Sequence, residues 1–80
     1  MPIRSAAHVA FGYAVREARA RQGMSQEALA HVCGLDRTYI SGIERGTRNP
    51  SLMNILRLAD ALNTTPADLF AAAACEERDG

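Results

Sequence analysis

Between Gln26 and Ile43, the spacing of small, apolar and turn-forming residues leaves the backbone few choices. Ala30 follows Gln26 by four residues, Gly34 follows Ala30 by four, and Ile40 and Ile43 close the stretch. Two short helices crossing near a right angle need this pattern. A small residue at Ala30 lets the second helix approach closely, and Gly34 supplies a positive-φ turn position that a β-carbon would strain. Leu29, Leu35, Ile40 and Ile43 fill the angle between the helices. Arg37, Thr38 and Ser41 remain on the open face of the second helix, with Tyr39 beside them. They offer donors, acceptors and a methyl group, the chemistry that reads base edges in a major groove. The spacing therefore predicts a helix-turn-helix over residues 26–43 and sequence-specific contact with double-stranded DNA.

A net charge of zero argues at first against a polyanionic partner, but the charges are unevenly spread. Residues 66–80 carry Asp68, Glu76, Glu77 and Asp79 against Arg78, a net of −3. Residues 1–65 carry eight arginines against five acids, a net of +3, and Arg37, Arg45, Arg48 and Arg57 cluster after the turn. A local basic patch matters more for DNA than the whole-chain sum.

The remaining chain reads as helix, with no strand-like alternation of period two. With 48% hydrophobic residues, eighty residues suffice for one small core, to which dimerisation would add buried surface. The chain reads as one domain, residues 1–80, with a frayed tail over 75–80. No apolar run approaches the roughly 20 residues of a membrane span. Met1-Pro2-Ile3-Arg4-Ser5 lacks the apolar stretch of a secretion signal, so a cytoplasmic location is expected. A first helix from about Ala6 to Gln22 sets Phe11, Val15 and Ala18 on one face, and Gly23 ends it. Ser25 and Asp36 are placed to cap the second and third helices, and Gly46 closes the third. Ser51 caps a fourth helix running to about Leu62. Its residues Leu52, Ile55, Leu56, Leu58, Ala59 and Leu62 span about 160° of circumference. Such a stripe belongs either to a thoroughly buried helix or to one shared between the core and a second subunit. Thr65-Pro66-Ala67-Asp68 opens a short fifth helix bearing Leu69 and Phe70. Leu58 and Phe70 are the candidate dimer contacts.

Catalysis and metal binding find no support in the sequence. His8 and His31 stand apart from any partner at catalytic or ligand spacing, and Cys33 and Cys75 lack the paired ligands of a zinc site. No cofactor is expected. Arg16, Arg19 and Arg21 read as an outer face of the first helix paired with Glu17 and water, while Glu44 reads as pairing locally with an arginine.

The run Gly23-Met24-Ser25-Gln26-Glu27-Ala28-Leu29-Ala30 is followed by Gly34-Leu35 and then by Tyr39-Ile40-Ser41-Gly42-Ile43-Glu44-Arg45-Gly46. Together these resemble the Xre/λ-repressor-like helix-turn-helix family, as do Arg48-Asn49-Pro50-Ser51-Leu52 and Leu58-Ala59-Asp60-Ala61-Leu62. The resemblance covers roughly residues 9–72 and implies an all-α fold of five helices, with the helix-turn-helix in helices 2 and 3. Leu35-Asp36-Arg37-Thr38-Tyr39-Ile40-Ser41-Gly42-Ile43-Glu44-Arg45 is similar, more narrowly, to the controller proteins of restriction–modification systems. That resemblance implies a homodimer on paired, palindromic operator sites upstream of its own gene, activating at one occupancy and repressing at a higher one.

By the family's pattern, Arg37, Thr38 and Ser41 would reach bases, while Gln26 would hold a phosphate. Tyr39 would stand at the groove edge or pack inward, and Arg45, Thr47, Arg48 and Asn49 would contact the backbone. Arg48 reaches a base if its loop bends inward. Activation would need a surface for RNA polymerase; Glu27 is the candidate, its plainer role being a favourable charge at a helix start. A stand-alone Xre-type repressor, or an antitoxin that also binds a partner protein, is the rival reading.

Overall fold

The computed structural model describes residues 5–79; Met1–Arg4, which carry most of the secretion-signal expectation, and Gly80 lie outside them. Five α-helices follow in order: α1 Ala6–Arg21, α2 Gln26–Cys33, α3 Arg37–Arg45, α4 Leu52–Ala61 and α5 Pro66–Asp79. There is no strand among the described residues, and no helix in them is long and apolar enough to cross a membrane.

Short-range chemistry sets most of the helix ends. The hydroxyls of Ser5, Ser25, Ser51 and Thr65 accept from the N–H three residues on, at 3.0–3.2 Å. Asp36 departs from expectation: it occupies the cap position of α3 in extended backbone, yet its carboxylate makes no capping hydrogen bond. Only its carbonyl joins the helix, accepting from Ile40 N–H at 3.1 Å. At the turn, Gly34 takes φ +72°, and Leu35 N–H returns to the Ala30 carbonyl at 2.9 Å, swinging Leu35 onto the core. The same closure ends α4 without glycine: Asn63 takes φ +58°, and Thr64 N–H reaches the Ala59 carbonyl at 2.9 Å.

Val15, Leu29, Ile40, Ile43, Leu58 and Leu62 are the largest fully buried side chains, drawn from α1 to α4; Leu69 and Ala73 add α5. Phe11 and Val15 are buried and Ala18 half-buried, as their spacing predicts. Where α1 crosses α3 the backbones nearly touch. A β-carbon on Gly12 would lie 2.6 Å from the Glu44 carbonyl oxygen and closer still to that of Ile43.

The stripe on α4 divides in two. Ile55, Leu58, Ala59 and Leu62 turn inward, whereas Leu52 (71% exposed), Met53 and Leu56 face outward. Leu58 is therefore no dimer contact: it lies on the inward side of the stripe and is wholly enclosed by the core. Phe70 is 49% exposed and leans against Phe11 with ring centroids 5.6 Å apart. The segment expected to fray, from residue 75, is helical as far as Asp79. Ala71–Ala74 favour helix strongly and Leu69 and Ala73 anchor it, so α5 continues to Asp79.

Candidate nucleic-acid interface

At 100° per residue, Arg37, Thr38, Ser41 and Arg45 fall within an arc of about 100° on α3, opposite the buried Ile43. Arg37, Thr38 and Arg45 are exposed and Ser41 is half-exposed. The structure thus gathers four of the predicted contact residues on one open face.

What holds that face in place lies behind it. Arg19 Nε donates to Glu44 Oε2 at 2.7 Å and its Nη2 to Oε1 at 3.0 Å, while Nη1 donates to the Met24 carbonyl at 2.8 Å. Gln26 Nε2 donates to the same Glu44 Oε1 at 3.0 Å. One carboxylate thereby ties α1 and the start of α2 to the back of α3. The Arg19 and Glu44 side chains are only 16% and 5% exposed. Hydrogen bonding to Glu44 raises the Arg19 pKa above its usual value, against an opposing push from burial. This corrects two expectations: Arg19 is not on the outer face of α1, and the arginine that Glu44 holds is 25 residues away. Gln26, expected at a phosphate, has its amide N–H turned to this carboxylate instead.

The segment after α3 splits by function. Thr47 Oγ1 donates to the Gly42 carbonyl at 3.1 Å, so its hydroxyl closes the helix end. Arg48 lies against Gly42, where an added β-carbon would fall 2.5 Å from Arg48 Cγ. Its guanidinium stands over the Tyr39 ring, 5.9 Å from the centroid. Tyr39 is half-buried, and its hydroxyl accepts from Asn54 Nδ2 at 3.1 Å. The Tyr39 ring packs partly inward, with α4 rather than α1 supplying its hydrogen bond, and still borders the open groove beside Thr38 and Arg48. Asn49 turns the other way, its Oδ1 3.2 Å from His8 Nε2, and His8 Nδ1 also bonds Ser5 Oγ.

Neither Asn54 nor His8 is apparent as a site residue from sequence. Asn54 breaks the apolar run Leu52-Met53-Asn54-Ile55, a faint signal; His8 gives none. Cys33 is buried, its thiol 3.8 Å from the Arg57 carbonyl and pushed up in pKa by burial, while Cys75 is exposed. Among the described residues, no three of His, Cys, Asp and Glu gather as a metal site would require.

Comparison with known proteins bears on this geometry directly. The helix-turn-helix family matches residues 15–69, which contain the whole motif. The control protein C.BamHI of Bacillus amyloliquefaciens is 56% identical over 61 residues, covering 75% of each chain. The crystal structure of the restriction–modification controller protein C.AhdI from Aeromonas hydrophila superposes with a TM-score of 0.80 at 54% identity. It covers 81% of this chain and 98% of that one. The chain belongs to the restriction–modification controller proteins of the helix-turn-helix family. Members have also been seen at work: the controller protein C.Esp1396I forms a tetramer on its natural 35-base-pair operator. It is 32% identical, with a TM-score of 0.83, covering 92% of this chain and 97% of that one.

Proposed function

We propose that this controller binds a palindromic operator as a homodimer and regulates its own promoter, through the exposed arc of α3. The observation that carries the reading is that arc itself: Arg37, Thr38, Ser41 and Arg45 open outward while Glu44, from the same helix, is locked behind them. Arg37 donates twice to guanine O6 and N7, and Thr38 and Ser41 offer hydroxyls, with a methyl on Thr38 suited to thymine. Arg45 and Arg48 meet phosphates flanking the read bases, with Tyr39 at the groove edge; Gln26, Thr47 and Asn49, whose side chains bond Glu44, Gly42 and His8, brace that edge from within the protein. The operator-bound tetramer of C.Esp1396I supports two such dimers side by side on one operator. Phe70, with the outward Leu52 and Leu56, is the apolar surface through which two copies pair. Exposed Glu27 is the acid offered to RNA polymerase. The protein works in the cytoplasm by binding, not by catalysis.

Selection of bound sites from a random DNA pool tests this reading. A two-fold sequence with half-sites about 34 Å apart, centre to centre, is expected. An unpatterned pool, with tight capture of a neighbouring gene's protein product, would replace it with the antitoxin reading.

A further inference from the structure

One side chain that faces the α3 surface from outside the helix-turn-helix has a defined chemical consequence. Asn54 sits in the first turn of α4, its backbone N–H already satisfied by the Ser51 hydroxyl at 3.2 Å. Its side chain is a separate donor, and Nδ2 donates to the Tyr39 hydroxyl at 3.1 Å. A phenol has one proton to give, and here its oxygen is already an acceptor. The Tyr39 O–H must donate elsewhere. Tyr39 and Asn54 both border a groove lined by Gly34, Leu35, Thr38 and Arg48, and the Arg48 guanidinium overhangs the same ring. A hydroxyl proton and a guanidinium beside one groove fit an anionic oxygen.

We infer that Asn54 is a positioning residue for DNA binding: by donating to Tyr39, it commits the phenol to donate, with Arg48, to a single backbone phosphate. The inference rests on the DNA-binding reading above. It adds a part of the machinery that lies on α4, outside the motif, and that touches no DNA itself. Asp36 also borders the groove, so an incoming phosphate meets a negative charge at its rim. Two donors held in advance offset that repulsion; a phenol free to turn toward another acceptor would not.

The test is a set of four proteins, measured for operator affinity and thermal midpoint: Asn54→Ala, Asn54→Asp, Tyr39→Phe, and a double variant combining Asn54→Ala with Tyr39→Phe. Asparagine to aspartate keeps the shape and places a favourable acid in the first turn of α4, so the fold is retained. The carboxylate can only accept, which reverses the bond and consumes the phenol proton. Asn54→Ala is expected to weaken operator binding about fivefold to tenfold, as loss of one oriented hydrogen bond would. Asn54→Asp is expected to weaken it further at an unchanged thermal midpoint. In the Tyr39→Phe background, Asn54→Ala is expected to cost nothing more, a non-additivity that general loosening of α4 would not produce. Wild-type affinity in Asn54→Asp, or full additivity in the double variant, overturns the assignment. Failure of the unaltered protein to prefer operator over scrambled DNA overturns the underlying reading instead.

Discussion

Glu44→Ala removes the acceptor of three hydrogen bonds at once, two from Arg19 and one from Gln26. The substitution leaves a guanidinium that is only 16% exposed with a single remaining partner, the Met24 carbonyl. Breaking a buried ion pair by deleting one partner costs about 3–5 kcal/mol. The residual exposure of Arg19 admits some water, which places this case at about 3 kcal/mol. For a chain of this size, each kcal/mol shifts the thermal midpoint by about 4–8 °C, so a fall of about 12–24 °C is expected. Far-UV circular dichroism melts at one fixed protein concentration measure it, because association makes the midpoint concentration-dependent. Glu17→Ala, on the exposed side of α1, is the control and should move stability by less than about 0.5 kcal/mol. Replacing Arg19 and Glu44 together by leucine should cost clearly less than the two single changes summed, since no unpaired charge stays buried. A Glu44→Ala protein within about 1 kcal/mol of the parent would refute the claim that this node holds α3 against α1 and α2.

Gly12→Ala should destabilise by about 3 kcal/mol, the upper range for overpacking, because its β-carbon meets two α3 carbonyls rather than a movable side chain; a denaturant titration reads it. Asn63→Ala should lose about 1 kcal/mol in the same assay, since alanine tolerates φ +58° poorly, whereas Asn63→Gly should lose nothing. In thiol titration of the folded protein at mildly alkaline pH, Cys75 should react promptly and Cys33 only on unfolding. Burial holds the Cys33 pKa up and so lowers its thiolate fraction at that pH. Two fast equivalents would show that α2 and α4 open readily around Cys33.

Local signals made most of the fold legible. Serine caps, the glycine at the turn and the i, i+4 spacing of Phe11 and Val15 each act within a few residues, and the helices form where those signals lie. Asp36 shows the limit of that logic, since an acid in the cap position need not bend back to the helix N–H groups. Features that depended on distant partners were not legible. Nothing near Arg19 in sequence announces Glu44, and Leu58 and Leu56 share one stripe although the fold buries the first and exposes the second. The candidate site divides the same way. Arg37, Thr38 and Ser41 follow from the register of one helix, while the bond from Asn54 to Tyr39 needed α4 brought beside α3.

The central claim is that the exposed face of α3 reads DNA sequence, and Arg37 tests it most directly because its side chain is exposed and its loss leaves the core intact. Fluorescence anisotropy would compare wild type and Arg37→Ala on the DNA upstream of the gene and on a scrambled duplex, across a salt series. Tight, cooperative wild-type binding to the upstream DNA is expected. In Arg37→Ala that preference should fall about 5- to 150-fold, the value of one bidentate base contact, with a nearly unchanged melting temperature. Equal, weak and salt-sensitive binding of both proteins to both duplexes would contradict it.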